Sequence, residues 1–131
     1  VIALDTNILV RFFTKDDPDQ AAVVRKVMEE PRLWVAKTVV LELEWVLRYT
    51  YAYDRQRVLE ALKLLIGYPR VEVEDHWNVL RAIRWYASGM DFADALHLAS
   101  SATAEQFASF DRQMAQSADQ NSTRPPVRLL R

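Results

Sequence analysis

The chain has no cysteine, two glycines and two histidines, and each scarcity removes a class of chemistry. Without cysteine there is no disulfide framework, no thiolate metal site and no cysteine nucleophile. Gly67 and Gly89 each follow a helical pattern and read as C-terminal caps. That leaves no glycine for a phosphate-cradling loop or a dinucleotide fingerprint, so the common kinds of ATP, GTP and NAD chemistry drop out. His76 and His97 have no histidine close by in sequence, which argues against a histidine-based metal centre. No apolar run approaches the roughly 20 residues of a membrane span. No signal-peptide pattern opens the sequence, so a cytoplasmic protein without membrane association is expected. The sequon Asn121-Ser122-Thr123 carries no weight in that setting.

At 131 residues the chain is long enough for one core and too short for two ordinary domains, so a single domain over residues 1–131 is expected. Half of the residues are hydrophobic and 27% are charged, the composition of a folded globular protein rather than a disordered one. Seventeen Lys and Arg stand against 18 Asp and Glu, for a net charge of −1. That balance neither demands nor excludes nucleic acid, because the distribution of charge over the surface decides.

The hydrophobic pattern sets an order of elements. Val1-Ile2-Ala3-Leu4 reads as a fully buried strand, and a polar turn spans residues 15–19. Asp17 or Asp19 can cap a helix over 20–30 that Pro31 stops. A short strand over 33–36 precedes helices over 38–51 and 54–66. A strand over 71–73 precedes a helix over 75–87 that Asp75 can cap, and a helix over 91–103 follows. A strand over 107–110, a short helix from Asp111, a polar loop over 117–126 and a last strand over 127–130 complete the chain. Short apolar strands alternating with helices indicate an α/β domain with a mainly parallel sheet. Ligands of such sheets bind outside the carboxyl ends of the strands, where Asp5 and Asp111 stand.

Four acids recur beside apolar segments: Asp5, Glu42, Asp94 and Asp111. Each has a structural explanation taken singly. Asp5 and Asp111 can cap the turns that follow them, and Asp91 and Asp94 suit the positive end of a helix. Glu42 and Glu44 both read as rim residues of helix 38–51, and periodicity does not choose between them. Pairing of Glu44 with Arg48 at i,i+4 leaves Glu42 free. Thr6 and Asn7 add polar groups beside Asp5. Taken jointly, four acids at element ends with no matching basic residue in their segments form a hard, oxygen-rich donor set suited to Mg²⁺, with Mn²⁺ able to substitute.

Four blocks then carry a resemblance. They are residues 3–10 with Asp5-Thr6-Asn7, residues 38–47 with Glu42, residues 91–99 with Asp91 and Asp94, and residues 107–112 with Ser109 and Asp111. In this order and spacing the chain resembles a PIN-domain ribonuclease, specifically a VapC-type toxin of a type II toxin–antitoxin pair. The resemblance spans nearly the whole chain and implies a three-layer α/β/α fold with a mainly parallel central sheet. It assigns the catalytic, metal-binding acids to Asp5, Glu42, Asp94 and Asp111, with Asp91 as an auxiliary ligand or water holder. Ser109 takes the place of a usual Thr, and Gln113 takes the place of a further Asp that is common in the family. The implied reaction is Mg²⁺-dependent hydrolysis of RNA phosphodiesters.

Arg11, Lys37 and Arg112, each close in sequence to a proposed ligand, are candidate phosphate contacts or else ordinary surface cations. Trp45 points away from its helix's core face, and Trp85 and Tyr86 crowd helix 75–87, so exposed apolar surface is expected. The resemblance fits that surface with a homodimer and a small antitoxin whose tail offers a cation to the acids. Two alternatives share the acids: a catalytically inactive PIN-fold binding module and a metal-dependent nuclease acting on DNA. A haloacid-dehalogenase-like phosphatase needs an Asp where the chain has Asn7.

Overall fold

The computed structural model describes residues 1–131, which divide into two compact units, Val1–His76 and Trp77–Arg131. Both are built from parallel strands and helices, as the alternating pattern predicts. The fold class is α/β, with every strand pairing parallel.

The first unit runs β1 (Ile2–Ala3), α1 (Thr6–Thr14), α2 (Pro18–Met28), β2 (Leu33–Val35), α3 (Lys37–Trp45), a π-helical turn (Val46–Thr50), α4 (Arg55–Ile66) and β3 (Val71–Val73). Its sheet has the order β1-β2-β3, with Ile2 opposite Leu33 and Leu33 opposite Val71. Parallel neighbours require crossovers of a dozen or more residues, and α1–α2 and α3–α4 supply them. Leu33, Val35, Val71 and Val73 are buried while Trp34 and Glu72 between them are not, the period-two burial of a pleated strand. Asp17, rather than Asp19, caps α2 by accepting from the backbone N–H groups of Asp19 and Gln20 at 3.1 and 3.2 Å. Pro18 fits the first helical turn, where a missing N–H costs nothing.

The second unit begins inside α5 (His76–Ala87) and continues through α6 (Phe92–Ser100), β4 (Phe107–Ser109), α7 (Arg112–Gln120) and β5 (Val127–Leu129). Phe107 pairs with Val127 and Ser109 with Leu129. Its core holds Tyr86 and Phe92, both 0% exposed and packed edge to face with centroids 5.4 Å apart. Between α5 and α6, Gly89 takes φ +107°, a conformation that residues with a side chain rarely adopt. Gly67, at φ −93°, caps α4 without needing glycine's freedom.

Several expectations are corrected. Thr6–Thr14, for which the pattern gives no element, is a helix. Its β-branched and aromatic residues have modest helix propensity, but Thr6, Leu9 and Val10 share a buried face. The first strand is not fully buried: Ile2 and Ala3 are exposed on an edge strand, and only Leu4 is covered. Helix α7 runs to Gln120, through the stretch expected as polar loop. Tyr86 adds nothing to exposed surface, and Glu44 is buried rather than at a rim.

Candidate active site

In the first unit, Asp5 leaves β1 in extended conformation and caps α1, its Oδ1 accepting from the Thr6 N–H at 2.8 Å. A carboxylate there also complements the helix dipole. Thr6 is 3% exposed, so its hydroxyl needs a protein partner, and it donates to Glu42 Oε1 on α3. A turn of α1 thus links Asp5 and Glu42 through one buried threonine. Glu42 itself is exposed.

Burial distinguishes the two glutamates of α3. Glu44 is 2% exposed and holds Arg48, whose Nε lies 2.8 Å from Oε2 and whose Nη2 donates to Oε1 at 3.3 Å. A carboxylate so enclosed is spoken for, and Glu42 keeps an outward face. Asn7 is exposed on the first turn of α1.

In the second unit, Asp91 caps α6 by accepting from the Asp94 N–H at 3.1 Å. Asp111 caps α7 by accepting from the Met114 N–H at 3.0 Å. The Ser109 hydroxyl accepts from the Asp111 N–H at 3.0 Å and so fixes the backbone that carries Asp111. Asp94 lies in the first turn of α6, half-buried. Burial raises the pKa of its carboxyl, and the negative charges of Asp91 and Asp111 raise it further, with His97 opposing. Asp91 and Asp111 therefore both lie close enough to act on Asp94 electrostatically.

Three of the acids, Asp5, Asp91 and Asp111, are helix caps. Capping and an exposed carboxylate coexist at these positions, so the structural explanation does not compete with the chemical one. Within neither unit do three or more His, Asp or Glu stand ready to enclose a metal ion. The donors themselves fit a hard divalent cation. They are carboxylate oxygens, the donor type such a cation prefers, and at Asp94 burial first and the charges of Asp91 and Asp111 second raise the carboxyl pKa.

The candidate phosphate contacts differ in their freedom. Arg11 Nη1 donates to Asp16 Oδ1 at 2.9 Å and to the Tyr51 hydroxyl at 3.2 Å, and the Asp16 hydrogen bond raises the Arg11 pKa. Desolvation pushes the Asp16 carboxyl up, but hydrogen bonds from Arg11, Thr14 and Tyr51 outweigh it and hold the carboxyl below its usual range. Lys37 Nζ lies 3.0 Å from Asp75 Oδ2, and Arg112 is exposed at the start of α7. Tyr51, far from Arg11 along the chain, gave no signal in the sequence. His97, which the sequence sets aside as a metal ligand for want of a second histidine, stands three residues after Asp94 and opposes the rise of its carboxyl pKa.

The model of the PIN domain family matches residues 2–119, nearly the whole chain. No curated protein and no solved structure matches it.

Proposed function

The chain belongs to the PIN domain family, whose members are generally nucleases, and from that premise we propose that it is a Mg²⁺-dependent ribonuclease acting as the toxin of a toxin–antitoxin pair. Asp5, Glu42, Asp94 and Asp111 hold the cation in this reading, with Asp91 beside them and Thr6 and Ser109 as positioning residues. The observation that carries it is geometric: Asp91 and Asp94 stand together at the opening turn of α6, with Asp91 accepting from the Asp94 N–H, and Asp111, at the start of α7, is close enough to act on Asp94. A divalent ion held among these carboxylates would relieve their mutual repulsion.

A bound Mg²⁺ would polarise a scissile phosphate and make a water molecule more acidic. The chain's own residues do the rest. Asp5 and Glu42 are oriented by the Thr6 backbone and hydroxyl. Asp111 is oriented by Ser109 and by its capping bond to Met114. Asp91, beside the four acids that would hold the ion, is placed to orient the attacking water.

The partner reading rests on the resemblance and on exposed aromatic surface. Trp45 and Tyr49 are 54% and 59% exposed and lie 5.2 Å apart at the end of α3, a feature that marks interfaces. A homodimer and a small antitoxin are the proposed occupants. No helix is long and apolar enough to cross a membrane, and a cytoplasmic location is proposed.

Incubating purified protein with RNA and DNA oligonucleotides in Mg²⁺, Mn²⁺ or EDTA tests the reading. RNA should be cut in Mg²⁺ and Mn²⁺ and preserved in EDTA, and Asp5→Asn or Asp94→Asn should abolish cutting with the fold intact, because an amide is a poor ligand for a hard cation. Cutting of DNA in place of RNA would move the substrate class, and no cutting of either would favour an inactive binding module.

A further inference from the structure

Away from the acids, the first unit carries a basic constellation at α1 and α2. One hollow of about 90 Å³ is lined by Arg11, Lys15 and Arg25 with Phe12, Ala21 and Val24. A second, of about 310 Å³, is lined by Arg25 and Arg70 with Phe12, Met28, Tyr68 and a single acid, Glu29. Phe12 and Arg25 belong to both, so the two hollows adjoin. Four cations therefore face one carboxylate along the pair. Arg11 is engaged with Asp16, but the side chains of Lys15 and Arg25 have no ion-pair or hydrogen-bond partner. Arg70 leans on Tyr68, with its guanidinium carbon 5.9 Å from the ring centroid. The rings of Phe12 and Tyr68 meet edge to face at 5.9 Å.

Cations in excess of carboxylates on one surface repel one another, and an anion held among them relieves that repulsion. Aromatic rings interleaved with them narrow the choice of anion. A flexible polyanion offering phosphates at intervals and flat bases between them, a single-stranded nucleic acid, uses both features. An acidic peptide uses only the charge.

We propose that this groove is an RNA-binding exosite, in which Lys15, Arg25 and Arg70 hold phosphates and the Phe12 and Tyr68 rings receive a base of the single-stranded substrate. The choice of RNA over other strands rests on the ribonuclease reading above. The groove lies along the helix that Asp5 caps. From Asp5 to Lys15 is ten residues, or about 15 Å at roughly 1.5 Å per residue, the reach of a few nucleotides. A strand engaged at Asp5 thus arrives at the groove by following α1.

Anisotropy of a fluorescein-labelled, mixed-sequence single-stranded RNA with the full chain in EDTA, over a range of salt, tests the groove. Arg25 and Arg70 are exposed, so the Arg25→Gln/Arg70→Gln protein folds. It should bind more weakly, and the slope of log affinity against log salt should shrink by about 1.4, about 0.7 for each lost phosphate contact. Tyr68→Leu should weaken binding with the slope unchanged. Lys26→Gln removes a neighbouring charge on α2 that lines neither hollow, and it should leave both readings as they are. Native slope in the double variant overturns the exosite. So does polyglutamate that competes as well as unlabelled RNA while Tyr68→Leu binds normally, which would make the groove an acidic-protein site. Cleavage of the same RNA in Mg²⁺ is read separately. Binding through the groove without cleavage would overturn the nuclease reading alone, and cleavage with an unchanged slope in the double variant would overturn the groove alone.

Discussion

Replacing Thr6 by valine removes one hydroxyl and nothing else of consequence. Valine matches threonine in shape and in its stiff, β-branched χ1, and position 6 opens α1, where a β-branched residue is tolerated. The lost group is the buried donor to Glu42. A hydrogen bond to a charged acceptor contributes roughly 1.5–3 kcal/mol. Glu42 is exposed, however, so water takes over part of the lost bond, and screening brings the expected loss to about 1 kcal/mol. For a chain this long that lowers Tm by about 3–6 °C. Activity should fall further than stability. Groups that orient a metal-binding carboxylate typically contribute about 10–100-fold to activity or metal affinity, and Thr6 would do so for Glu42. Thr6→Ser keeps the hydroxyl and should restore most of the rate despite losing a buried methyl. RNA cleavage measured alongside thermal melts separates the two effects. A valine variant with native cleavage, or a serine variant as inactive as the valine one, would refute the positioning role.

Other outcomes follow from the same geometry. Because Asp94's folded pKa is raised, its favourable contribution is complete below the unfolded value and is lost as pH climbs through the folded one. Melts in EDTA should therefore show the native protein gaining stability on mild acidification through that window, while Asp94→Asn lacks that gain and melts higher than native at neutral pH; a lower melting temperature for the variant would contradict the mutual repulsion. Mg²⁺ should raise the native melting temperature and scarcely move that of Asp94→Asn. Arg48→Ala should cost about 3 kcal/mol in urea denaturation, since it abandons the buried Glu44 carboxylate, whereas Glu44→Leu with Arg48→Met should stay within about 1 kcal/mol of native. Trp45→Ala and Tyr49→Ala alter exposed rings and should change monomer stability by less than about 0.5 kcal/mol while weakening self-association in sedimentation; a dimer indifferent to both changes lies on another surface.

Local chemistry made much of this protein legible in its sequence. The absence of cysteine and the scarcity of glycine excluded whole reaction classes, because those residues have no substitutes in thiolate sites and phosphate loops. Strands β2 to β5, and helices with strong caps such as Asp54 on α4 and Asp91 on α6, were readable because their signals are short-range. Four acid-bearing blocks were enough to identify the family, and the i,i+4 pair Glu44–Arg48 was correctly drawn from spacing alone. What tertiary structure decided was burial and partnership. Helix α1 exists because Thr6, Leu9 and Val10 find a core, overriding a composition that does not favour helix. Glu44 is enclosed and Glu42 exposed, a distinction invisible to periodicity because both lie at the same angle from the core face. The link from Thr6 to Glu42 spans 36 residues, and the meeting of Arg11, Arg25 and Arg70 around Phe12 spans more. Such contacts depend on where distant segments are folded together, which no local spacing encodes.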